Sequence, residues 1–450
     1  MIDEVYLYVV IFQHTIHGYL GRRALARRPF ILQKLLGVGK NSMGVVHKYG
    51  GSSVATPAHI RAVAARVARA YQQGEKIAVV ASAMGKSTDQ LIALASQVGE
   101  NICPREMDAL MATGEQKTIS LLAMALQNLG VPAMSFTGAQ CGMLTNTNHS
   151  RAKILQIKAD AVEACVAAGK VPVVAGFQGV SEDGSITTLG RGGSDTTAVA
   201  LAAALGWDCQ IYTDVDSIFT ADPRKCPGAK PLHRVTYEEM MEMASLGAGV
   251  LETRSVELAK KYGVKLYLGR SLEEDLRKGT YIMEWNETFE DMPVTGLSIK
   301  ENCAMFTIDG LAPDGSGVSR IFELVAELDV NVDMISQQTL PSGVLASFSC
   351  SEADAKLLLG RMEAGGFPRQ PLHQGTLTKL SLVGVGMRTH GGIAAAAFTA
   401  LTQAGIPYYQ VTTSEISISL TVDQANQDKA IRVLADTFQL RDDQLEAQQA

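Results

Sequence analysis

Short apolar runs alternate with longer amphipathic stretches between Val45 and Ile282. The apolar runs are rich in β-branched residues, are bounded by Gly or Pro, and lie at residues 77–83, 131–136, 171–177 and 209–213. Such runs predict the buried strands of a mostly parallel sheet. Between them, Thr56 and Pro57 are typical of a helix N-terminus, and one face of that helix would carry Ile60, Val63, Val67 and Tyr71. The alternation predicts an α/β domain with helices on both faces of the sheet.

The rest of the chain predicts a linker and a repeated module. An acidic stretch poor in apolar residues indicates a linker at 284–295, after an α/β domain at 43–283. Beyond it, Phe322 is followed eight residues later by Val330, and Phe398 eight residues later by Ile406. The order strand, Gly-containing turn, helix, strands occurs twice. It favours two copies of a small α+β module, at 296–368 and 376–440, over two unrelated α+β hairpins.

Composition and charge narrow the possible functions. The chain has 450 residues, 19% of them charged, and a formal net charge of -6, which is typical of a soluble enzyme of two or three domains. It lacks the dense basic face of a nucleic-acid-binding protein and an apolar run long enough to span a membrane. Seven cysteines without a CxxC pair predict reduced thiols in the cytoplasm and no zinc site. Residues 1–42 are interpreted as an N-terminal extension, with Met43 as an alternative start.

Two Gly-rich loops follow predicted strands, where ligands gather in open α/β sheets. In the first, KYGGSS at 48–53, Lys48 supplies positive charge, and Gly50 and Gly51 let backbone N–H groups approach phosphates. An ordinary strand-to-helix turn would also explain this loop. In the second, TLGRGGSDTT at 188–197, Arg191 is suited to a carboxylate and Asp195 lies near a helix N-terminus. Three glycines within four residues favour a functional loop over a cap plus a surface charge.

Further polar residues follow other strands. The stretch TDVDSIFTADPR at 213–224 combines three carboxylates with Arg224, which suits a nucleotide and Mg²⁺, although a solvated acidic turn has the same composition. Ser82 and Thr88 add hydroxyl groups after the second strand, and Glu115 adds a carboxylate. The alternative for Glu115 is a helix-start carboxylate stabilised by the helix dipole.

Together these loops resemble the aspartokinase family, of the amino-acid-kinase fold. The resemblance covers about residues 45–438 and rests on KYGGSS at 48–53, TTLGRGGSDTTAVALAAAL at 187–205 and YTDVDSIFTADPR at 212–224. The two C-terminal modules resemble paired ACT domains, the amino-acid-binding units of this family. The resemblance implies an α/β protein: a three-layer αβα amino-acid-kinase domain followed by two α+β ferredoxin-like ACT domains.

The resemblance also implies a reaction. ATP, with Mg²⁺, would phosphorylate the side-chain carboxylate of L-aspartate to 4-phospho-L-aspartate, the first step of lysine, threonine and methionine biosynthesis. Lys48 and Asp195 would be catalytic. Aspartate would contact Ser82, Thr88, Glu115, Arg191, Gly192, Gly193 and Ser194, and the nucleotide would contact Lys48, Gly50, Gly51, Ser52, Thr213, Asp214, Phe219, Asp222, Pro223 and Arg224. No residue is assigned as the ligand of a resident metal. The acceptor carboxylate is already ionised at neutral pH, so the resemblance implies catalysis by positioning and charge stabilisation.

Feedback regulation is a further implication. Lysine, threonine or both would bind at the ACT domains, and the matching positions are Asp314, Gly317, Asp333, Thr413, Ser414 and Glu415. ACT modules expose strand edges, so we expect a homodimer or larger oligomer. This chain departs from many relatives at Gly249, where they have a Lys near the nucleotide, and at Pro407, where they often have Asn.

Two other functions stay open. A kinase of the same fold acting on glutamate, acetylglutamate or a nucleoside monophosphate is disfavoured by the paired modules and by the 191–195 loop. A catalytically silent amino-acid sensor would keep the fold without the reaction. Lys48, Glu115 and Arg191 argue against this sensor, whereas Gly249 favours it.

Overall fold

The computed structural model describes residues 44–273, 275–284, 293–364, 372–388 and 390–442. The predicted extension at 1–42 lies outside the described residues, as does most of the predicted linker at 284–295. No helix among the described residues is long and apolar enough to cross a membrane.

Strands and helices alternate in the α/β domain. Its strands are β1 (Val45–Tyr49), β2 (Ile77–Ala81), β3 (Ala133–Phe136), β4 (Met143–Thr145), β5 (Ile154–Ile157), β6 (Val171–Ala175), β7 (Gln178–Ser181), β8 (Ile186–Thr188), β9 (Asp208–Thr213), β10 (Ile218–Phe219), β11 (Pro231–Leu232), β12 (Arg234–Val235), β13 (Leu266–Arg270) and β14 (Thr280–Ile282). Its helices are α1 (Pro57–Gln72), α2 (Ser87–Val98), α3 (Pro104–Asn128), α4 (Asp160–Ala167), α5 (Gly193–Leu205), α6 (Tyr237–Ser245) and α7 (Thr253–Tyr262).

An eight-stranded sheet organises this domain, in the order β12-β14-β13-β9-β1-β2-β6-β3. Only the β13–β14 pair is antiparallel. Alternate residues of each strand enter different cores, because successive side chains point to opposite faces. Val46 and Val80 pack with α4 to α7, whereas Tyr49 and Val79 pack with α1 and α3. The predicted three-layer arrangement is therefore confirmed.

The predicted strands and the first predicted helix are also confirmed. The apolar runs form β2, β3, β6 and β9, with ends shifted by up to two residues. Thr56 caps α1 by accepting a hydrogen bond from the backbone N of His59 at 3.3 Å, and Pro57 is the first helical residue. The helix-start alternative for Glu115 is wrong, because α3 begins at Pro104 and Glu115 lies in its interior. A smaller sheet of order β5-β4-β7-β8 was not predicted.

The C-terminal part forms two α+β modules that share one sheet. Its elements are β15 (Gly296–Leu311), α8 (Ser316–Glu327), β16 (Asp333–Leu340), β17 (Gly343–Ser351), α9 (Glu352–Ala364), β18 (Leu372–Val383), α10 (Ile393–Gln403), β19 (Tyr408–Thr413), β20 (Ser417–Asp423) and α11 (Gln427–Thr437). The sheet order is β16-β17-β15-β18-β20-β19. Each module has its own core: α8 and α9 cover one, and α10 and α11 cover the other.

Two long strands, β15 and β18, belong to both modules. Residues 303–311 of β15 pair with β17 in the first module. Residues 296–300 of β15 instead pair with residues 379–383 of β18, and Leu297 packs in the core of the second module. The second module is thus completed by a segment that precedes the first module in the chain.

Hydrogen bonds at Thr220 and on α6 join the second module to the α/β domain. The backbone N of Leu297 donates to the carbonyl of Thr220 at 2.6 Å, and Thr220 Oγ1 donates to the carbonyl of Leu440 at 2.5 Å. On α6, the buried Oε1 of Glu239 accepts hydrogen bonds from Thr295 Oγ1 and from the backbone N of Val385, the latter at 3.2 Å.

Candidate active site

A cavity of about 290 Å³ opens at the carboxyl ends of β1, β2 and β6. Three loops converge there because these parallel strands end at the same edge of the sheet. The cavity is lined by Lys48, Gly51, Ser82, Ala83, Gly85, Thr88, Glu115, Phe177, Gly190, Arg191, Gly192, Gly193, Ser194 and Asp195. All residues that the sequence assigned to catalysis or to aspartate are in this set.

Lys48 and Asp195 form an ion pair at the base of the cavity. Lys48 Nζ lies 2.6 Å from Asp195 Oδ1, and both side chains are about 90% buried. Lys48 comes from β1, and Asp195 from the first turn of α5. A buried charge pair is held firmly, because separating it would leave a buried charge uncompensated.

The Gly-rich loop lies between β8 and α5. Gly192 has φ +63° and directly precedes α5, and Gly190 has φ +79°, so both glycines adopt backbone conformations that L side chains rarely adopt. Arg191 lies between them and is exposed at the cavity. Within the described part of the chain, its guanidinium has no ion-pair or hydrogen-bond partner. The loop therefore presents a cation that is free to bind an anion.

Glu115 reaches the cavity from α3. Its Oε1 accepts a hydrogen bond from the backbone N of Ala83 at 3.1 Å, whereas its buried Oε2 has no hydrogen-bond partner among the described residues. Burial raises the pKa of Glu115 from 4.5 to about 7, against the lowering effect of backbone hydrogen bonds. Removing a carboxylate oxygen from water without a hydrogen-bond partner costs free energy, and a bound cation would offset this cost. The site therefore favours a ligand with a positively charged group.

The 48–53 loop lies next to the loop after β2. A Cβ on Gly51 would lie 2.9 Å from the carbonyl oxygen of Ala83, so the two loops can approach this closely only with glycine there. The backbone N of Gly50 donates to the carbonyl of Tyr212 at 3.1 Å, which ties the loop to the end of β9. Ser52 is exposed at the start of a short 3-10 helix.

The other residues assigned to the nucleotide lie outside this cavity. Thr213 Oγ1 donates to Asp214 Oδ1 at 2.9 Å at the end of β9. Asp222 accepts three hydrogen bonds from Arg224, at 2.8 to 3.0 Å, and Pro223 between them is exposed. Phe219 packs against the core of the second module. These positions stay predictions, since the cavity does not bring them together with Lys48.

The six residues assigned to an effector are spread over both modules. Asp314 Oδ1 accepts from the backbone N of Ser316 at 2.9 Å, and Gly317 follows in the first turn of α8. Thr413 ends β19, Ser414 Oγ lies 2.9 Å from Ser417 Oγ, and Glu415 pairs with Arg388 at 3.3 Å on the surface.

Asp333 is the most constrained of the six. It forms an ion pair with the fully buried Lys379 of β18. Partial burial opposes ionisation, but the hydrogen bond and charge of Lys379 outweigh it and hold the pKa of Asp333 below its ordinary value.

Sequence reasoning missed several residues around the cavity. Phe177 lines it with φ +70°, an unusual conformation that the hydrogen bond from its backbone N to Thr197 Oγ1, at 3.0 Å, helps to hold. Asp108 is completely buried beneath the Gly-rich loop. The apolar runs that predict the strands give no indication that Phe177 or Asp108 has a role at the site. The position of Asp108 seven residues before Glu115, on the same helical face, was the available signal.

Comparison with known proteins gives the same picture as the fold. A model of the "Amino acid kinase family" matches residues 43–270, and a model described as "ACT domain" matches residues 380–438. The first match covers half of the chain, so the fold class is that of the amino acid kinases.

Individual relatives narrow this class. The aspartate kinase Ask_LysC of Stutzerimonas stutzeri (strain A1501) is 44% identical over 403 residues, 88% of this chain and 97% of the relative. Two crystal structures of E. coli aspartokinase III share the fold at 22% and 23% identity. One is a complex with aspartate and ADP (R-state, TM-score 0.72), and the other a complex with lysine and aspartate (T-state, TM-score 0.71); both alignments cover 88% of this chain and 99% of the other. The chain belongs to the aspartokinase family, which confirms the resemblance seen in the sequence.

Proposed function

We propose that this chain transfers the γ-phosphoryl group of ATP to the side-chain carboxylate of L-aspartate, forming 4-phospho-L-aspartate, the first step of lysine, threonine and methionine biosynthesis. One observation carries the proposal: a single cavity combines the Lys48–Asp195 pair, the unpartnered Arg191 and the buried carboxylate of Glu115. This set is complementary to a small amino acid with a second carboxylate.

The two ends of the amino acid would be held by opposite charges. Arg191 would clamp the α-carboxylate, because a planar guanidinium donates two parallel hydrogen bonds. Glu115 Oε2 would accept from the α-ammonium group, whose charge would lower the raised pKa of Glu115 and hold it ionised. Ser82 and Thr88, with the backbone at 192–194, would orient the side chain.

Catalysis would consist of positioning and charge stabilisation. The acceptor carboxylate is ionised near pH 7, so no proton has to be removed before it attacks. Lys48 would stabilise the charge on the transferring phosphoryl group, and Asp195 would orient Lys48 through their 2.6 Å contact. Gly50, Gly51 and Ser52 would bring backbone donors to the phosphates, and the 213–224 segment would contact the rest of the nucleotide.

Mg²⁺ is the divalent ion that fits this arrangement. Asp195 offers the hard oxygen donors that Mg²⁺ prefers, and Mg²⁺ commonly takes its other ligands from phosphates and water. When bound, the ion would neutralise the charge of the nucleotide phosphates. Its protein contacts would come from carboxylates at the cavity, such as Asp195.

Regulation is the second part of the proposal. Lysine, threonine or both would bind at the ACT modules of a homodimer or larger cytoplasmic assembly and inhibit the kinase. Three observations support it: the paired modules, the charged Asp333–Lys379 pair, and the lysine in the related E. coli structure.

Trapping of the acyl phosphate with hydroxylamine tests both parts. ATP, Mg²⁺ and L-aspartate should give a signal that glutamate does not give, and added lysine or threonine should reduce it. Lys48→Ala should lower turnover by at least about 100-fold, because it removes the charge facing the phosphoryl group. Lys170→Ala, an exposed lysine at the amino end of β6, serves as the matched control.

Each result decides a part of the proposal. Unchanged turnover in a folded Lys48→Ala protein would refute the role of Lys48. Absence of any signal from wild-type protein would favour the silent sensor, and flat activity across millimolar lysine and threonine would refute the regulation.

A further inference from the structure

Asp108 lies beneath the cavity and is fully buried, although it takes no part in the proposed chemistry. Its Oδ1 accepts from Thr188 Oγ1 at 2.6 Å, and its Oδ2 accepts from the backbone N of Thr188 at 3.0 Å. It also accepts from the backbone N of Ser150 at 3.0 Å and lies 2.8 Å from His149 Nδ1. A buried carboxyl group whose two oxygens accept this many hydrogen bonds is strongly held in place, since losing any of them would leave a buried polar atom without a partner.

The groups bound by Asp108 form the base of the Gly-rich loop. Thr188 is the last residue of β8, three residues before Arg191. Its carbonyl accepts from the backbone N of Ala152 at 2.9 Å, and a Cβ on Gly190 would lie 3.0 Å from the carbonyl oxygen of Ser150. Asp108 therefore fixes both the strand that leads into the loop and the segment on which the loop rests.

Asp108 and Glu115 lie on the same face of α3. They are seven residues apart, which is about two turns and roughly 10 Å of helix. Glu115 would bind the ammonium end of aspartate, and Asp108 holds the loop whose Arg191 would bind the carboxylate end. The distance between the two binding groups is thereby set by one rigid helix.

We propose that Asp108 is a positioning residue that fixes the Arg191 loop relative to Glu115 and so determines the affinity for the amino-acid substrate. This inference rests on the proposed aspartate kinase function. The phosphate side of the site is built from Lys48 on β1 and the 50–52 backbone, which make no hydrogen bond to Asp108 or Thr188 within the described residues. Substrate binding and nucleotide binding should therefore respond differently to a change at Asp108.

Asp108→Asn provides the first test. The amide keeps the size of the side chain but points N–H groups at the donors of Thr188 or Ser150, so the base of the loop must shift. A displacement of about 1 Å at a binding group can cost about 100-fold in rate. We expect the KM for aspartate to rise by at least about tenfold, while the KM for ATP stays within about twofold of wild type.

Thr188 supplies a matched pair of variants that keeps the test valid if Asp108→Asn does not fold. Thr188→Val removes the hydroxyl that donates to Asp108 and preserves the shape of the side chain, whereas Thr188→Ser retains the hydroxyl. The KM for aspartate should rise several-fold in Thr188→Val and remain near wild type in Thr188→Ser. Equal rises in both, or equal changes in the two KM values, would overturn the proposal and leave Asp108 as a purely structural residue.

Calorimetric titration of aspartate separates this inference from the proposed function. Wild-type protein that binds aspartate without turning it over would refute the kinase proposal, and the role of Asp108 would then be judged from the Kd for aspartate in the same variants. Wild-type protein that neither binds nor phosphorylates aspartate would overturn both.

Discussion

Glu115 shows, at the scale of one residue, a conflict between binding and stability. Burial raises its pKa from 4.5 to about 7. Between these values the folded chain binds more protons at this site than the unfolded chain, so the free energy of unfolding falls as the pH rises. The destabilisation is absent below about pH 4.5 and complete above about pH 7, where a shift of this size corresponds to roughly 3 kcal/mol.

Replacing Glu115 with Gln should therefore stabilise the protein while weakening substrate binding. We expect a higher thermal unfolding midpoint than wild type at pH 8, only a small difference at pH 5, and a raised KM for aspartate at pH 8. Thermal unfolding between pH 5 and 8 measures the first effect, and steady-state kinetics measure the second. Glu100→Gln, at an exposed loop position, is the control. Equal midpoints for wild type and Glu115→Gln at pH 8 would contradict the assigned cost of burial.

Some residues of the candidate site could be predicted from the sequence for a physical reason. Lys48 lies in a Gly-rich loop after a strand of the predicted parallel sheet, and such loops meet at one edge. Arg191 and Asp195 were found through the three glycines of their loop, although the strand before it, β8, belongs to the smaller sheet that was not predicted. Glu115 was assigned through the family resemblance, because the local pattern of a long helix does not distinguish its side chain from a surface carboxylate. The seven-residue spacing places Asp108 on the same helical face as Glu115, but its role could not be predicted, because its partners are 41 to 80 residues away in sequence and depend on the packing of α3 against β8.

At the scale of an element, the start of α5 depends on how closely it approaches α7. A Cβ on Gly192 would lie 1.9 Å from Cγ of Glu252, the residue that precedes α7, and Gly192 also has φ +63°. Any residue larger than glycine at position 192 would therefore be destabilising for two reasons. Its side chain would overlap Glu252, and its left-handed backbone conformation would cost about 1 to 2 kcal/mol.

Gly192→Ala should lower the thermal unfolding midpoint and raise the KM for aspartate, because the Arg191 loop must move away from Glu252. Gly184→Ala is the matched control: Gly184 has φ +81°, but a Cβ there meets no atom within 4 Å, so this variant reports the backbone penalty alone. Glu252 contributes both Cγ at 1.9 Å and Cβ at 2.4 Å to the overlap, so adding Glu252→Gly to Gly192→Ala should bring its midpoint close to that of Gly184→Ala. A Gly192→Ala protein no less stable than Gly184→Ala would contradict the overlap.

Elements with long apolar runs were predicted well and short polar ones were not. Strands β2 and β6 are buried along their whole length, so their sequences are continuous apolar runs. Strands β3 and β9 are buried only in part, and their apolar residues were still sufficient to predict them. β8 consists of only Ile186–Thr188 and has no periodicity to detect. The first half of β15 was assigned to the first module, since pairing between residues 296–300 and 379–383 is invisible to any local pattern.

At the scale of the whole molecule, α6 connects the modules to the α/β domain. Glu239 Oε2 accepts from the backbone N of Thr236 at 3.1 Å and completes a capping box at the start of α6, while its Oε1 binds Thr295 and Val385. Glu242, one turn later, accepts from Ser417 Oγ at 2.6 Å. Two residues of α6, one turn apart, thus connect this helix to the second module.

Glu239→Gln should weaken the proposed feedback inhibition more than it weakens turnover. The amide can accept at only one atom, so either the helix cap or the contact with the second module is lost. Coupling of about 1–3 kcal/mol is typical, and we expect several-fold more effector to be needed for half inhibition. Inhibition curves with lysine and threonine provide the measurement. Glu257→Gln, at an exposed position of α7, is the control and should keep the wild-type inhibition curve. An unchanged curve for Glu239→Gln would contradict this route.

The shared strand β15 has a consequence for synthesis on the ribosome. Residues 296–300 emerge directly after the α/β domain, but their partners at 379–383 follow only after the entire first module has been translated. Chains grow at about 5–20 residues per second. For several seconds, therefore, the completed α/β domain is followed by residues 296–300 without their strand partner. If translation stopped in this interval, the unpaired backbone groups of this strand would stay exposed to proteases and to other chains. The pairing of β15 with β18 thereby makes complete folding of the C-terminal modules conditional on complete translation.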